Sequence, residues 1–465
     1  MLVPLIVACA LFMENLDATV LTTALPAIAR SLHEDPLHLS LAITTYLLSL
    51  AVFIPISGWI ADAYGPRRVF RAAILVFVLG SAACGAAQTI AELVAARVLQ
   101  GLGGAMMVPV GRLLLLRRTP KHHLVTAMSY LTVPALLAPL LGPPVGGAIV
   151  TYASWRWIFF INLPIGVLGF LLASRYIRDQ PPPPPPKLDW RGWLLAGSGL
   201  ALAAFSFENL GKGVLPDMLV GALLTLGVAL LALYLVYARG HSEAILDLRL
   251  LRVPTFGAAI IGGSLFRIGT GAFTLLMPLM LQLGFGLSAA ASGAITFASA
   301  VGALLLKATV APIVRHFGFR RLLSVNALIN AGFLGGCALF APTTPHLLII
   351  GYLLASGFFR SLQFTCINTM GFADINGPRM SRATSLSSTA QQLTLAVGVG
   401  VAAQLLHGAR RLHGGALGVT DFRLAFIAVS VLVVGSTLSF LRLPAEAGAR
   451  VSGHRLPGVR ARGVR

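Results

Sequence analysis

Fourteen apolar segments of spanning length follow one another along this chain, and that succession leaves few folds open. They cover residues 3–29, 38–62, 69–89, 91–116, 124–151, 157–175, 191–208, 216–238, 254–282, 289–313, 320–341, 346–372, 383–408 and 422–442. About 20 residues of helix cross the hydrocarbon of a bilayer. In lipid every backbone N–H and C=O must find its partner inside the segment, so such a chain is expected to be an all-α polytopic membrane protein. The composition agrees: 57% hydrophobic residues, 11% charged residues and a mean hydropathy of +0.84 are far more apolar than a soluble chain of 465 residues needs.

A formal charge of +20 and a pI near 11.1 would suit a nucleic-acid partner, but the distribution of the basic residues argues against one. With the N-terminus in the cytosol, 24 of the 35 Lys and Arg fall in cytosolic loops and the tail, six fall outside and five lie within spans. That bias is the positive-inside pattern, so the basicity reports topology and a match to anionic membrane lipid. Both termini are therefore expected in the cytosol. The first span carries no basic leader and is interrupted by acids, so it reads as a span rather than a cleaved signal. Cys9, Cys84, Cys337 and Cys366 all lie in apolar spans without metal-like spacing, which predicts buried, unpaired thiols.

The first span holds the least expected residues, in the run Leu11-Phe12-Met13-Glu14-Asn15-Leu16-Asp17-Ala18-Thr19-Val20. A carboxylate near the middle of a spanning helix is costly, so it faces a partner or a water-filled cavity. Three residues apart, Glu14 and Asp17 share one helix face. In the other half, Arg267 and Arg360 sit near the middle of spans 9 and 12. Opposite charges in one central cavity predict that Glu14 or Asp17 pairs with Arg267 in one conformation and takes a proton in another.

An internal repeat supports two related halves. Asp62-x-x-Gly65-x-Arg67-Arg68 follows the second span, and Arg315-x-x-Gly318-x-Arg320-Arg321 follows the tenth at an offset of 253. The same offset sets Glu14 on Arg267, and nearly the same offset brings Pro26 close to Pro278. Two six-helix halves with two helices inserted between them would produce this. The expected organisation is an N-terminal six-helix bundle (1–176), a Pro-rich cytosolic linker (177–190), two inserted helices (191–240), a C-terminal six-helix bundle (241–445) and a basic cytosolic tail (446–465). Pro181 to Pro186 in the linker favour a stiff polyproline spacer.

Four stretches, in order, resemble the major facilitator superfamily and within it the fourteen-helix drug:proton antiporter branch. They are Leu16-Asp17-Ala18-Thr19-Val20 with Ala24-Leu25-Pro26; Gly58-Trp59-Ile60-Ala61-Asp62-Ala63-Tyr64-Gly65-Pro66-Arg67-Arg68; Arg97-Val98-Leu99-Gln100-Gly101-Leu102-Gly103-Gly104-Ala105; and Gly142-Pro143-Pro144-Val145-Gly146-Gly147, followed by Trp155 to Gly166. The run Gly103 to Arg112 looks most like the MdtD- and HsrA-like exporters of that branch. The resemblance implies that the Gly58–Arg68 loop, with Gly58, Asp62, Gly65, Arg67 and Arg68, gates the inward–outward switch. It also implies that Arg97 is coupled to protonation of Asp17 or Glu14, and that Gly142, Pro143, Gly146 and Gly147 form the antiporter motif of span 5, where the helix should kink. The sequence departs from the family pattern at Ala63 and Pro66, commonly basic, and offers no acid between Glu92 and Asp179 for the usual charge relay. Arg112 is the candidate partner of Asp62, which could cap span 3 or hold a facing helix when the inner gate is closed.

Physical reading adds to this. The small run Gly101–Ala105 would let Arg97 approach span 1. A cation beside Asp17 favours the ionised form while burial favours the neutral acid, and a site that loads and releases protons needs the two in balance. A purely structural ion pair remains an alternative. Gln100, Arg267, Arg360, Gln363 and Asn368 are polar spots expected to line a substrate cavity, as are Gln391 and Gln392. No nucleotide-binding loop, metal set or nucleophilic triad emerges, since Gly211-Lys212-Gly213 lacks the required spacing, so neither an enzyme nor a cofactor is expected. The expected function is a monomeric, proton-coupled exporter of amphiphilic small molecules in a bacterial cytoplasmic membrane. A dedicated exporter of one metabolite and a non-transporting membrane sensor are the alternatives.

Overall fold

The structure, a computed structural model, describes residues 2–32, 36–120, 123–177, 187–209, 216–241, 244–306, 309–375, 377–413 and 418–454, and these are helical with no strand among them. The N-terminal bundle comprises α1 (Leu2–Leu32), α2 (Pro36–Phe53), α3 (Ser57–Tyr64), α4 (Pro66–Ala86), α5 (Ile90–Arg118), α6 (Leu124–Tyr152), α7 (Trp157–Phe160) and α8 (Asn162–Tyr176). A pair follows, α9 (Trp190–Asn209) and α10 (Asp217–Gly240). The C-terminal bundle comprises α11 (Pro254–Leu279), α12 (Ala289–Leu305), α13 (Val310–Phe317), α14 (Phe319–Gly336), α15 (His346–Met370), α16 (Met380–His413) and α17 (Val419–Leu441), and a short α18 (Ala449–Ser452) closes the described chain. The prolines 181–186, Lys212, Lys307 and the tail beyond residue 454 lie outside the described residues, as do the side chains of Pro26 and Pro143.

Ten of these helices are long and apolar enough to cross a membrane, or twelve when each of two bent pairs counts as one span. The expected fourteen would add α6, with 29 residues, and α9, with 20. The bends repeat. α2 and α3 meet at 58°, and α12 and α13 at 64°. Pro55 sits in the first break, where it has no N–H to give and its ring would collide with the carbonyl one turn back. Each bent pair then ends in a glycine that turns the chain into the next helix, Gly65 at φ 87° and Gly318 at φ 68°. A side chain at that φ would meet its own backbone, which is why the repeat keeps glycine at both positions. The repeat read from seven residues therefore extends to the backbone path of both halves.

Packing shows how the halves meet. One apolar core is shared by both bundles and the α9–α10 pair at the end carrying the Gly65 and Gly318 turns, called here the turn end. Towards the opposite end each bundle keeps a core of its own, around Leu16, Val20, Cys84 and Phe159 in one and around Phe273, Met277, Phe422 and Phe426 in the other. The α9–α10 pair is clasped by Asp189, which accepts from Gly192 N (2.9 Å), Tyr237 Oη (2.8 Å) and Ile245 N (3.1 Å). It lies along α2, where Trp193 Nε1 donates to Val52 O at 2.8 Å.

The turn end is closed by direct contact of α3 with the start of α16. A Cβ on Gly58 would lie 2.7 Å from Ser381 O, so the two backbones touch. Ser385 Oγ donates to Ile54 O (2.9 Å) and Pro55 O (2.7 Å) at the α2–α3 break. A β-branched side chain at position 58 must push the bundles apart there, at a cost of about 1–3 kcal/mol. Gly58→Val should therefore shift the closed turn end towards an open one by roughly tenfold. Spin labels on the exposed Tyr64 and Arg320 positions would read this as a longer distance, and an unchanged distribution would refute it.

Candidate functional site

Asp17 is the hub of a sealed polar network in the N-terminal bundle. Arg97 Nη1 of α5 pairs with its Oδ2 at 2.6 Å, and both side chains are 1% exposed. Oδ1 accepts from Gln100 Nε2 and from Asn162 Nδ2, each at 2.8 Å. Arg97 also donates to Gln100 Oε1 (2.6 Å) and through Nε to Ala42 O (3.1 Å), and its guanidinium stacks 4.2 Å over the Tyr46 ring. Ser81 Oγ completes the ring, accepting from Asn162 (3.0 Å) and Gln100 (3.3 Å) while donating to Phe159 O (2.9 Å). Five helices are tied to one carboxylate: α1, α2, α4, α5 and α8. The spacing of Arg97 and Gln100 puts both on one face of α5, and the break between α7 and α8 sets Asn162 at the start of α8.

The expected approach of Arg97 to α1 is therefore made, but not by the glycine run. A Cβ on Gly101 would lie 2.6 Å from Ser49 Cβ of α2, and one on Gly103 2.5 Å from Phe77 N of α4. The glycines seat α5 on α2 and α4, and the long Arg97 side chain covers the remaining distance. Gly142 does bring a helix against α1, since its Cβ would fall 2.2 Å from Thr19 Oγ1, two residues after Asp17. Gly146 is buried, Gly147 has open space where a Cβ would go, and α6 continues as one helix through the motif where a kink is expected.

Glu14 has a different environment. It is 6% exposed, makes no ion pair or hydrogen bond, keeps Oε2 without a partner and lines a cavity of about 320 Å³ between the bundles. The cavity is walled by Leu11, Val108, Phe273, Pro278 and Phe364, with Asn15, Thr270, Thr296, Ser299, Ser388, Gln391, Gln392 and Arg360 among its polar atoms. Arg360 donates to Ser299 Oγ, and its guanidinium lies 4.6 Å from the Phe273 ring centre.

Several expectations need correction. Of the seven residues expected to line the cavity, Arg360, Gln391 and Gln392 do so. Gln100 belongs to the Asp17 network, and Gln363 is held inside the C-terminal bundle by Asn326 Nδ2 (2.8 Å) and Leu323 O (3.2 Å). Arg267 lies behind Phe364 and donates to Asn368 Oδ1 at 3.1 Å, so neither of those two reaches the cavity or an acid. The expected pairing of Glu14 or Asp17 with Arg267 is absent in this conformation. Arg112 is not the partner of Asp62: it donates to Ser387 Oγ (3.4 Å) and Gln391 Oε1 (3.2 Å) across the bundle interface. Asp62 instead pairs with Arg117 Nη2 at 2.9 Å and accepts from Ser381 of α16. It thus holds a facing helix rather than capping α4, whose first turn lacks a side-chain cap. Arg67 Nη2 donates to Ser174 O (2.6 Å) at the end of α8, and Arg68 is exposed.

Asn162, Ser81 and Tyr46 were not singled out in the sequence. The polar Asn162 within an otherwise apolar span was the available signal. Ser81 and Tyr46 gave none, because both residue types are ordinary in such helices. The four cysteines are free, as expected, with Cys84, Cys337 and Cys366 buried. Among the described residues no metal-ligating cluster occurs.

Two helical bundles enclosing a central cavity, with a charged network buried beside it, define a multi-pass membrane transporter rather than an enzyme. The chain belongs to the major facilitator superfamily: the model of that family matches residues 7–399. The "Putative multidrug resistance protein MdtD" of Salmonella typhimurium (strain LT2) is 37% identical over 457 residues, covering 94% of each chain. Its namesake from Pectobacterium carotovorum is 38% identical over 444 residues and 95% of each. The human organic anion transporter MFSD10 shares the fold with a TM-score of 0.66 at 16% identity, covering 94% of this chain and 99% of that one. The proton:xylose symporter XylE does so with a TM-score of 0.65 at 15% identity, covering 96% of each.

Removing Arg97 would strand an ionised carboxylate in the bundle, which costs about 3–5 kcal/mol. Arg97→Ala should therefore be strongly destabilised, and Asp17→Asn added to it should recover much of the loss. A double-mutant cycle on thermal unfolding of the purified protein measures this coupling, and additive effects would contradict it.

Proposed function

We propose that this transporter is a proton-coupled exporter of amphiphilic small molecules, built as fourteen spans with both termini in the cytosol of a bacterial cell and working by alternating access as a monomer. The observation that carries the reading is the pairing of a sealed, ion-paired Asp17 with a cavity-facing, unpartnered Glu14 one turn away. When Asp17 is ionised, its bonds to Arg97, Gln100 and Asn162 lock five helices together. A proton on Asp17 removes the charge that Arg97 matches, and the lock loosens. Glu14 gives cargo and proton a shared acceptor at the cavity wall. The names of the Salmonella and Pectobacterium relatives support a drug-exporting reading.

In this proposal the turn end faces the cytosol, and its closure by Gly58, Asp62, Arg117 and Ser381 makes the described conformation inward-closed. Gly65, Arg67 and Arg68 shape the gate, and Arg112 adds a second contact across it. Protons enter from the outer side, neutralise the carboxyls and release cargo outward, and the transition to the inward-open form then needs the Asp62–Ser381 contact to break.

Energised membrane vesicles supplied with ethidium and a panel of unrelated dyes test this. Asp17→Asn should reduce proton-driven dye transport to background while insertion and folding persist. Transport by Asp17→Asn at the wild-type rate would overturn the proposal.

A further inference from the structure

Two kinds of unmatched group face each other across the cavity. On the N-terminal side Glu14 offers a buried carboxylate oxygen with no donor. On the C-terminal side Arg360 bonds only Ser299, and its Nε has no acceptor. Behind Phe364, Arg267 is 1% exposed, and its Nε and Nη1 are both unpartnered. Gly263 makes the room for it, since a Cβ there would fall 2.8 Å from Nη1. Neither arginine has an acidic partner. Buried donors and acceptors are costly to leave bare, so the side chains specify what should fill the space.

We propose that the cavity is a binding site for zwitterions with separated charges: an anionic group at Arg360, an ammonium or similar cationic donor at Glu14, and an apolar spacer between them. Phe273, Phe364, Leu11 and Val108 form the apolar wall that takes the spacer. Arg267 adds positive field from behind Phe364, and the hydroxyl of Ser299 steers the Arg360 guanidinium. Planar guanidinium suits a carboxylate or another flat oxyanion. The assignment deepens the antiporter reading and rests on it in one respect, that cargo and proton compete at Glu14. A purely anionic cargo would be favoured by a proton on Glu14 and would travel with it. The cationic end of a zwitterion is displaced by that proton, and this gives exchange its sign.

Purified full-length protein in nanodiscs is offered 4-(aminomethyl)benzoate and its longer counterpart 4′-(aminomethyl)biphenyl-4-carboxylate. Each is compared with analogues lacking one charge, 4-methylbenzoate and 4-methylbenzylamine for the short scaffold. At pH 7 the carboxylate is ionised and the amine protonated. Affinity is read from the ligand-dependent rise in unfolding temperature. At least one zwitterion should bind tenfold or more tightly than both of its single-charge analogues, the factor expected of a charge-assisted hydrogen bond. Arg360→Gln should remove its advantage over the cation, Glu14→Gln its advantage over the anion, and Arg360→Lys should restore part of the first.

Should neither variant fold, the wild-type comparison decides alone. Zwitterions that bind no better than the tighter single-charge analogue would overturn the assignment, as would advantages that survive both substitutions. Proton flux in proteoliposomes separates the two readings. A zwitterion advantage without proton exchange would sink the coupling and uphold the site. Proton-driven export of simple cations without that advantage would do the reverse.

Discussion

A charge placed among hydrocarbon has to be matched on the spot, and Asp17 imposes that demand on half the molecule. Its two oxygens take three donors, and these come from α5 and α8 while Ser81 of α4 steadies two of the donors. No packing of the N-terminal bundle that moves α5 or α8 away from α1 can keep the carboxylate satisfied. The polar ring therefore acts as a register lock on helices whose surfaces are otherwise interchangeable Leu, Val and Ala. Apolar packing in a membrane lacks the drive it has in water, so such polar ties and close small-residue contacts decide which faces meet.

The contact between bundles follows a contrasting logic. At the turn end the seam is built from short groups: Gly58 against a carbonyl, Ser57 and Ser385 over the broken turn at Pro55, Ser381 on Asp62. Each is modest, and none sinks a large side chain into the opposite bundle. Short hydroxyls are groups that could trade these partners for water. A seam made of interlocking aromatics would be stronger and harder to reverse. Of the charged groups at the seam, Asp62 and Arg117 pair within the N-terminal bundle, while Arg112 reaches across to Ser387 and Gln391 of α16.

Much of this was legible in the residues. Spans are readable because hydrocarbon tolerates one composition, and the Asp17–Arg97 pair is readable because isolated charges there need each other. Gly65 and Gly318 announced a repeat that the backbone repeats in φ. The choice between Arg112 and Arg117 was not legible. They lie five residues apart on α5, on faces well separated around the helix, and which face meets α3 depends on a rotation that the local sequence leaves free. The cavity wall was legible only in part. Thr270 and Thr296 satisfy their hydroxyls on carbonyls of their own helices, so in sequence they look the same towards lipid as towards a cavity. Gln100, Gln363 and Asn368 went the other way, because a polar residue that holds one bundle together resembles one that waits for cargo.

The repeat also sets unlike charges at equivalent positions of the two halves. The offset of 253 carries Glu14 onto Arg267 and Asp17 onto Thr270, so equivalent positions on the first helix of each half bear acids in one and a cation and a hydroxyl in the other. In the cavity itself the unlike charges are Glu14 on one wall and Arg360 of α15 on the other. Were both acidic, closure around an empty cavity would be opposed by repulsion; were both basic, the same would hold. With unlike walls the empty cavity is near neutrality overall, yet Glu14 and Arg360 form no ion pair with each other. A molecule that meets only one wall leaves the other bare. Full compensation comes from a cargo that spans the gap, or from a proton on Glu14 together with water or an anion at Arg360. In the proposed exchange the two occupancies would exclude each other at a single carboxylate.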